Sequence, residues 1–348
     1  MGVLHCLGAG LVGSYVAKRL VQSGHDVHIH ELEPGRVTNE DGVTIHKWDA
    51  LDACKKLDEF GEFDIVVNML PGEIGSIATG ILTGFPYKVV DLSFSEETPD
   101  NFTRKAIENG SSVLWDVGIA PGLSNMLLSE ASRKFGKLKN GEVRVGGNPT
   151  KPSGGWNYMA PFSPRDVIAE YTRPARVIRD SVEVSLPAIT DRHHIDIPGK
   201  GQMECFLTDG LRSVLNSIPA SELSEYTVRW PGHIQKFIDL RDEGVLDEDE
   251  LEREWQYREE VPEFTWIEVR AEGEGGETML WTVQDHGGED GHSMARSTGL
   301  VTLCCIEEWL NDSEMLPSGI HAPEDLGADV IQRVIAKMKD ENVEISGP

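Results

Sequence analysis

The first third of the chain alternates short apolar runs with stretches of helical spacing. Val3–Leu7 predicts a strand buried on both faces, and Val12, Val16 and Leu20 then recur at the spacing of a helix. Further strand-like runs follow at Val27–Glu31, Asp64–Met69, Lys88–Asp91 and Val113–Trp115. This rhythm indicates a parallel sheet with helices on both faces.

Beyond residue 122 the pattern changes, because apolar and polar residues alternate along several short runs. Such alternation predicts strands with one solvated face, as in an antiparallel sheet. These runs are Glu142–Val145, Val182–Leu186, Tyr226–Trp230, Phe264–Val269 and Thr278–Val283. The predicted fold class is therefore α/β: a Rossmann-type parallel sheet domain plus an α+β domain with a mainly antiparallel sheet.

Three later segments have helical character. Asp239–Glu260 is acidic and is predicted to be a solvated helical connector. Met294–Leu310 is nearly apolar throughout, which indicates a buried helix. A separate amphipathic stripe follows, formed by Val330, Ile331, Val334, Ile335 and Met338.

A glycine-rich turn joins the first strand to the first helix. Gly8-Ala9-Gly10-Leu11-Val12-Gly13 matches the pattern GxGxxG in the strand–turn–helix context of a dinucleotide site. The first glycine permits the turn, the second lets the backbone approach a pyrophosphate, and the third lets helix and strand pack closely. The helix N-terminus then offers N–H groups to the anion. The predicted cofactor-binding residues here are Gly8, Gly10, Leu11, Val12 and Gly13.

The second strand ends in an acidic residue, Glu31, where a carboxylate accepts hydrogen bonds from the adenosine ribose. A carboxylate also repels a 2'-phosphate, so NAD is predicted over NADP, although the nearby Arg36 leaves NADP open. Ligands bind at the carboxyl ends of such strands. The cofactor-binding residues predicted there are Asn68, Leu70, Pro71, Asp91 and Ser93. Asn68 and Ser93 have a second interpretation, as residues that cap helices or close turns.

The composition excludes several function classes. Of 348 residues, 59 are acidic and 32 are basic, giving a formal net charge of −27. Nucleic-acid phosphates need clustered Lys and Arg, and anionic membranes repel such a surface, so neither partner is expected. The charge reflects either adaptation to a salty cytoplasm or steering of a cationic substrate.

Targeting and metal signals are also weak. The five cysteines include no CxxC pair, and His193-His194 lacks the spacing of a helical metal pair, so no metal is expected. The chain opens directly on a strand-like run, and no apolar stretch approaches bilayer length. A cytoplasmic location is therefore the expectation.

Six motifs resemble the saccharopine dehydrogenase-like family, and within it the L-lysine 6-dehydrogenase branch. They are DVGIAPGLSNML (Asp116–Leu127), FSPRDVIAEYTRPARVI (Phe162–Ile178), TDGLRSVL (Thr208–Leu215), RWPGH (Arg229–His233), HSMARSTG (His292–Gly299) and GIHAPEDLG (Gly319–Gly327). The resemblance implies a dinucleotide-binding domain over 1–122, an inserted substrate and dimerisation domain over 123–292, and a segment 293–348 that returns to the first domain. A homodimer is the expected assembly, because an antiparallel sheet domain with one exposed face could support a two-fold dimer.

One departure concerns the substrate. Saccharopine reductases resemble this chain around Pro121-Gly122 but carry an acid before that proline and Asp-His after it, where this chain has Ala120, Ser124 and Asn125. The pattern is therefore similar to the lysine-oxidising branch. It implies an NAD-dependent enzyme that oxidises the side-chain amine of lysine, with hydrolysis of the imine to a semialdehyde and ammonia.

Lysine would need a guanidinium for its carboxylate and an acceptor for its amine proton. Arg212 is the first candidate for the guanidinium, followed by Arg173 and Arg229, each with an ion pair as its alternative role. His233 and Asp116 are the candidate catalytic residues, since imidazole titrates near neutrality and Asp116 offers a carboxylate. His233 is otherwise a hydrogen-bonded structural residue. The remaining predicted substrate-binding residues are Thr208, Asp209 and Asn125.

Two other functions stay open. One is a saccharopine or carboxynorspermidine type of enzyme, which joins an amine to a carbonyl reductively. The other is a regulator that binds NAD without turnover. The second domain carries convergent Arg, His and Asp motifs that a bare sensor does not require, which favours an enzyme.

Overall fold

The computed structural model describes residues 1–33, 35–152 and 154–348, which form two compact units. Unit 1 comprises residues 1–123 and 295–338. Unit 2 comprises residues 124–294 and 339–348. Residues 339–348 belong to unit 2, where they supply a short strand, although the family resemblance implies that all of 293–348 returns to the first domain.

The strands, in chain order, are β1 (Val3–Leu7), β2 (Asp26–His30), β3 (Thr44–His46), β4 (Ile65–Asn68), β5 (Lys88–Asp91), β6 (Ser112–Trp115), β7 (Leu138–Pro149), β8 (Ala175–Arg179), β9 (Val182–Leu186), β10 (His193–Ile197), β11 (Gly201–Leu207), β12 (Ala220–Arg229), β13 (Glu263–Gly273), β14 (Thr278–Asp285), β15 (Gly319–His321) and β16 (Glu344–Ser346).

The α-helices are α1 (Leu11–Gln22), α2 (Ala50–Cys54), α3 (Gly72–Leu82), α4 (Thr103–Asn109), α5 (Leu123–Phe135), α6 (Pro164–Thr172), α7 (Val214–Ser217), α8 (His233–Asp242), α9 (Glu248–Glu254), α10 (Ser293–Asn311) and α11 (Ala328–Asp340). Short 3-10 helices cover Asn39–Asp41, Leu57–Phe60, Pro99–Phe102 and Pro323–Asp325. Within the described ranges, the helices all lack the length and apolar character that crossing a membrane requires.

Unit 1 is built on a seven-stranded sheet in the order β15-β6-β5-β4-β1-β2-β3. All its neighbouring strands are parallel. The central strands are apolar because both faces of the sheet are buried, and every residue of β4 is buried. The order of the strands reverses at β1, which pairs with β2 on one side and β4 on the other. The predicted Rossmann-type sheet is confirmed.

Residues 295–338 complete unit 1. Helix α10 packs closely on α1, which Gly299 permits because a Cβ there would lie 2.5 Å from Cδ1 of Tyr15. The Thr302 hydroxyl donates to the Val117 carbonyl at 2.7 Å. Strand β15 adds an edge to the sheet beside β6. Helix α11 buries the stripe that its sequence predicts, formed by Val330, Ile331, Val334, Ile335 and Met338.

Unit 2 is built on a nine-stranded sheet whose main order is β10-β11-β12-β7-β13-β14-β16. Strand β8 pairs with β12, and β9 pairs with β8. Most of its strand pairs are antiparallel, as the sequence predicted. Strands β12 and β7 are parallel, which was not anticipated. Alternation of apolar and polar residues reports which face of a strand is buried, and it carries no information on the direction of the neighbour.

An aromatic core lies beside this sheet in unit 2. Trp156 and Trp255 meet edge to face, with ring centroids 5.3 Å apart. Helices α8 and α9 contribute Phe237 and Leu251 to the same cluster. The acidic segment Asp239–Glu260 is therefore only partly solvated, because Leu251 and Trp255 are buried. Burial of these apolar side chains is favourable even where the neighbouring residues along the chain are exposed carboxylates.

Candidate functional site

The glycines of the turn after β1 have different structural roles. Gly8 has a φ of +87°, which favours glycine. A Cβ on Gly13 would lie 3.2 Å from the Gly8 carbonyl oxygen and 3.2 Å from Cε of Met69. Gly10 has an ordinary φ of −68°, and no atom of residues 1–33, 35–152 and 154–348 lies within 4 Å of the position that its Cβ would take. The fold thus requires the first and third glycines, and the second leaves a free space.

This free space adjoins the N-terminus of α1, which begins with the half-buried Leu11 and Val12. In the part of the chain that the structure describes, no side chain caps this end of the helix, and its first turn holds no acidic residue. Its backbone N–H groups and the positive end of the helix dipole therefore suit an anion. The residues fit a dinucleotide pyrophosphate, which approaches where the Gly10 side chain is missing.

Glu31 follows β2 and is anchored to the turn. Its Oε2 accepts a hydrogen bond from the Ala9 N–H at 3.2 Å, and its Oε1 accepts one from the Glu33 N–H at 3.2 Å. Each carboxylate oxygen has a further lone pair for a hydroxyl donor. The carboxylate is thus held where a ribose diol could bind. Arg36 lies five positions along the chain and is exposed.

The polar side chains at the ends of β4 and β5 bind the neighbouring loops. Asn68 Nδ2 donates to the Gly75 carbonyl at 2.9 Å and to Thr79 Oγ1 at 3.0 Å. Thr79 in turn donates to Asp91 Oδ2 at 2.5 Å, and Asp91 Oδ1 accepts from the Ser93 N–H at 2.8 Å. These contacts secure α3 to the sheet. Two further residues of the predicted set are less buried: Leu70 and Pro71.

Asp116 lies directly after β6 and is 3% exposed. Its φ is +56°, in a region that costs a non-glycine residue about 1 kcal/mol. The loop that follows is tightly closed, since a Cβ on Gly122 would lie 1.8 Å from the Gly118 carbonyl oxygen. The loop thus fixes the Asp116 carboxylate at the carboxyl end of the sheet, where ligands of this fold class bind.

Four histidines from β1, β2 and β3 pack together in unit 1. We term His5, His28, His30 and His46 the histidine cluster; their stacked rings have centroids 4.9–5.2 Å apart. His5 Nδ1 lies 2.8 Å from His30 Nε2, and His28 Nδ1 lies 2.9 Å from His46 Nε2. Burial and mutual repulsion lower the pKa of His5 to about 4 and that of His30 to about 3.

The histidine cluster adjoins the cofactor turn through the main chain. The Gly8 N–H donates to the His30 carbonyl at 3.1 Å, and the Glu31 N–H donates to the His46 carbonyl at 3.1 Å. The rings hydrogen-bond to one another, and in the described part of the chain no cluster of three His, Cys, Asp or Glu side chains is arranged to hold a metal ion. His5 and His30 are therefore neutral at pH 7, and the four rings pack against one another.

In unit 2, Thr208–Ser213 follows β11, and we term it the 208–213 loop. Asp209 fixes it to β8, because its carboxylate accepts from the Arg176 N–H at 3.0 Å, from Nε at 2.9 Å and from Nη2 at 2.7 Å. Arg173 Nε lies 3.5 Å from Asp209 Oδ2. Asn125 Nδ2 donates to Ser213 Oγ at 3.0 Å at the other end of the loop.

Arg212 lies on this loop with a φ of +50° and is 2% exposed. A guanidinium is a planar donor of two parallel hydrogen bonds, so such a residue is suited to bind a carboxylate. The structure brings together five of the predicted substrate-binding residues, each on the 208–213 loop or in contact with it: Thr208, Asp209, Arg212, Arg173 and Asn125.

Glu225 of β12 is a buried acid that sequence reasoning missed. It is 5% exposed, and its Oε2 accepts from the Thr208 hydroxyl at 2.6 Å. Burial raises its pKa to about 8, so it is mainly protonated at pH 7. Only the pairing of β11 with β12 places it beside Thr208, and this pairing could not be read from the sequence.

Glu170 of α6 is a second acid that the sequence did not single out, although it lies within the motif Phe162–Ile178. Burial raises its pKa to about 7, against the opposing effect of the Arg173 and Arg229 guanidinium groups. Both forms of Glu170 are therefore populated near neutrality, which suits a group that accepts and releases a proton.

His233 and Arg229 belong to a buried chain of hydrogen bonds. Arg229 Nε donates to the Tyr171 hydroxyl oxygen at 2.8 Å, and Tyr171 Oη lies 3.2 Å from His233 Nε2. His233 Nδ1 lies 3.0 Å from the Trp156 carbonyl, which can only accept, so Nδ1 carries the proton and Nε2 accepts from Tyr171. Burial and the Arg229 charge lower the pKa of His233 to about 3. Its geometry fits a structural histidine.

The model of the saccharopine dehydrogenase C-terminal domain matches residues 118–343. The chain belongs to the saccharopine dehydrogenase family. The match covers most of unit 2 together with α10 and β15, and it confirms the family that the six motifs indicated.

Two solved structures share the fold of this chain. Apo saccharopine dehydrogenase (L-Glu forming) from Saccharomyces cerevisiae superposes with a TM-score of 0.76, at 16% identity, over 100% of both chains. Homospermidine synthase from Legionella pneumophila, solved with NAD, gives a TM-score of 0.69 at 14% identity, over 99% of this chain and 90% of that chain. These likenesses confirm the predicted fold class.

Proposed function

We propose that this protein is an NAD-dependent oxidoreductase that removes the side-chain amine of L-lysine, with release of a semialdehyde and ammonia. The observation that carries this proposal is the buried mixture of charges around the 208–213 loop. Arg173 and Arg212 provide guanidinium groups for a carboxylate, and Glu170 provides a carboxylate for an ammonium group, whereas the Asp209 carboxylate is already bound by Arg176. A diamino acid carries both kinds of charge and needs both kinds of partner.

Unit 1 would hold the cofactor. The free space at Gly10 would take the pyrophosphate, and the anchored Glu31 carboxylate would take the ribose hydroxyls. When bound, the nicotinamide supplies the acceptor for the hydride of the substrate. A carboxylate at Glu31 disfavours the extra phosphate of NADP, and the homospermidine synthase of similar fold was solved with NAD.

The substrate amine must lose a proton, because an ammonium nitrogen has no lone pair to support the developing iminium. His233 is a poor acceptor, since its Nε2 already accepts from Tyr171 and its pKa is lowered to about 3. We assign the role to Glu170, whose pKa of about 7 matches a general base at neutral pH, with Asp116 as the alternative. The buried guanidinium groups would orient the substrate through its carboxylate.

The test is an assay of the purified protein with lysine and NAD, followed by the absorbance of reduced nicotinamide and by the ammonia released. We expect both products in equal amounts. The likeness to saccharopine dehydrogenase favours reductive joining of an amine to a carbonyl as the second candidate. Turnover only with amine, aldehyde and NADPH, without ammonia, would replace the lysine proposal by this one. Binding of NAD with no turnover of lysine, ornithine or related amines would indicate a regulator.

Glu31→Ser is expected to weaken the preference for NAD over NADP by about tenfold or more, because the serine hydroxyl donates to a phosphate that the carboxylate repels. The measurement is the ratio of dissociation constants for the two cofactors. Glu33→Ser is the matched control, since Glu33 is an exposed carboxylate two positions away. An unchanged ratio in Glu31→Ser would remove Glu31 from the cofactor site.

A further inference from the structure

Glu225 lies in the middle of the buried charges of unit 2 without forming an ion pair of its own. None of the ion pairs between described residues involves it, although Arg173 and Arg176 both reach Asp209 nearby. Its oxygens are met by neutral donors, the Thr208 hydroxyl at 2.6 Å and the backbone N–H of Gly210. A buried acid that is neutral affects the groups around it through its shape and its hydrogen bonds, because it carries no charge.

Both donors belong to the 208–213 loop. Thr208 is also 2.8 Å from Thr227 Oγ1, so the start of the loop is tied twice to β12. Gly210 lies against the Glu225 carboxyl so closely that a Cβ there would be 2.6 Å from Cδ and 2.7 Å from Oε2. The loop backbone therefore rests directly on the Glu225 side chain, and a glycine is needed for this contact.

Arg212 lies two residues further along the same loop. Its φ of +50° is unfavourable for arginine, so surrounding contacts must hold this conformation. Asp209 fixes one side of the loop through Arg176, and Ser213 joins Asn125 at the far end. Glu225 contacts the part of the loop that lies between these two attachments.

We propose that Glu225 is a positioning residue that holds the 208–213 loop in the conformation in which Arg212 binds the carboxylate of the substrate. This inference rests on the proposed function, because it takes an amino acid as the substrate of this site. Glu225 itself does not touch the substrate. It acts through Thr208 and Gly210, and its effect is confined to substrates that carry a carboxylate.

The test compares three variants of the full chain with two substrates. Glu225→Ala removes the acceptor, Glu225→Gln keeps a neutral carbonyl oxygen for the loop donors, and Glu222→Gln is the control on the same strand. Lysine is compared with 1,5-diaminopentane, which has both amines but lacks the carboxylate. Hydrogen exchange of the loop amides is followed in parallel, because this measurement does not depend on turnover.

We expect Glu225→Ala to raise KM for lysine about tenfold or more while kcat, and KM for 1,5-diaminopentane, change by less than about threefold. Its loop amides should exchange faster. Glu225→Gln and Glu222→Gln should stay within about threefold of the wild type on every measure at pH 7. The unchanged KM for 1,5-diaminopentane separates positioning from a loss of overall stability, and rescue by glutamine shows that a neutral acceptor is sufficient.

An unchanged KM for lysine in Glu225→Ala, or an equal rise in KM for both substrates, overturns the inference. If the wild type fails to oxidise lysine, the proposed function fails, and hydrogen exchange of the loop alone then decides whether Glu225 holds it. Unchanged exchange in Glu225→Ala would mean that it does not.

A pH series provides an independent comparison. As the pH rises past about 8, Glu225 ionises in the wild type, whereas glutamine cannot. The new negative charge beside Asp209 should weaken the attraction of the loop for a carboxylate. We expect the ratio of KM for lysine, wild type over Glu225→Gln, to rise between about pH 7 and about pH 9. A flat ratio would mean that the charge on Glu225 has no effect on how the loop binds the carboxylate of lysine, which would count against the inference.

Discussion

Gly10→Val is expected to abolish NAD binding while leaving the protein folded. The backbone at Gly10 has a φ of −68°, outside the left-handed region that favours glycine, and no atom of the described residues lies within 4 Å of the new Cβ. The side chain would instead fill the space through which a pyrophosphate approaches α1. We expect affinity to fall by more than about 100-fold, equivalent to about 2.8 kcal/mol, in calorimetric titration with NAD.

Gly13→Val is the matched control, because it changes the same turn in the opposite way. Its Cβ would press on the Gly8 carbonyl oxygen and on Met69, both at 3.2 Å, in a packed part of unit 1. Overpacking of this kind costs about 1–3 kcal/mol, so the melting temperature should fall. Normal NAD binding by Gly10→Val would mean that the cofactor does not lie over this turn. A low melting temperature of Gly10→Val would mean that the space beside Gly10 is packed in solution.

Acidification is expected to destabilise unit 1 through the histidine cluster. The pKa values of His5 and His30, about 4 and about 3, are below the ordinary 6.5, so between these values the unfolded chain binds more protons than the folded one. Stability is therefore complete above about pH 6.5 and is lost as the pH falls toward the folded values. At about pH 4.5 the two rings together cost on the order of 5 kcal/mol.

The measurement is the free energy of unfolding from urea curves between about pH 7 and about pH 4.5. Replacing both buried rings, in His5→Leu/His30→Leu, should remove most of this loss, because leucine has no proton to bind. His193→Asn/His194→Asn is the control, since these two histidines lie on β10 in unit 2. Equal losses for the wild type and the leucine variant would assign acid sensitivity to other groups.

The features that could be predicted from the sequence depend on neighbours along the chain. The turn at Gly8 and the stripe of α11 were both predicted correctly, since a turn or a helix face is set by residues a few positions apart. The parallel pairing of β12 with β7 was not predicted, because it joins segments about 80 residues apart. Which strands meet is decided by the whole sheet.

The same distinction separates the site residues. Thr208 and Arg212 were found because they share one motif, and the structure places them on one loop. Glu225 was missed because it becomes distinctive only when β12 pairs with β11. His233 was selected for the ordinary pKa of imidazole, but burial and the charge of Arg229 decide its state, and neither is visible in the sequence.

The discontinuity of the two units bears on how the protein is made. Strand β6 gains its outer neighbour β15 only when residues 319–321 are made, after the whole of 124–294 has been synthesised. Unit 2 is likewise incomplete until β16 has been made. At about 5–20 residues per second, the ribosome needs about 10–40 s to pass from residue 123 to residue 321. During that interval the nascent chain exposes an open sheet edge, which attracts other strands. Pairing with residues 319–321 then closes this edge of β6.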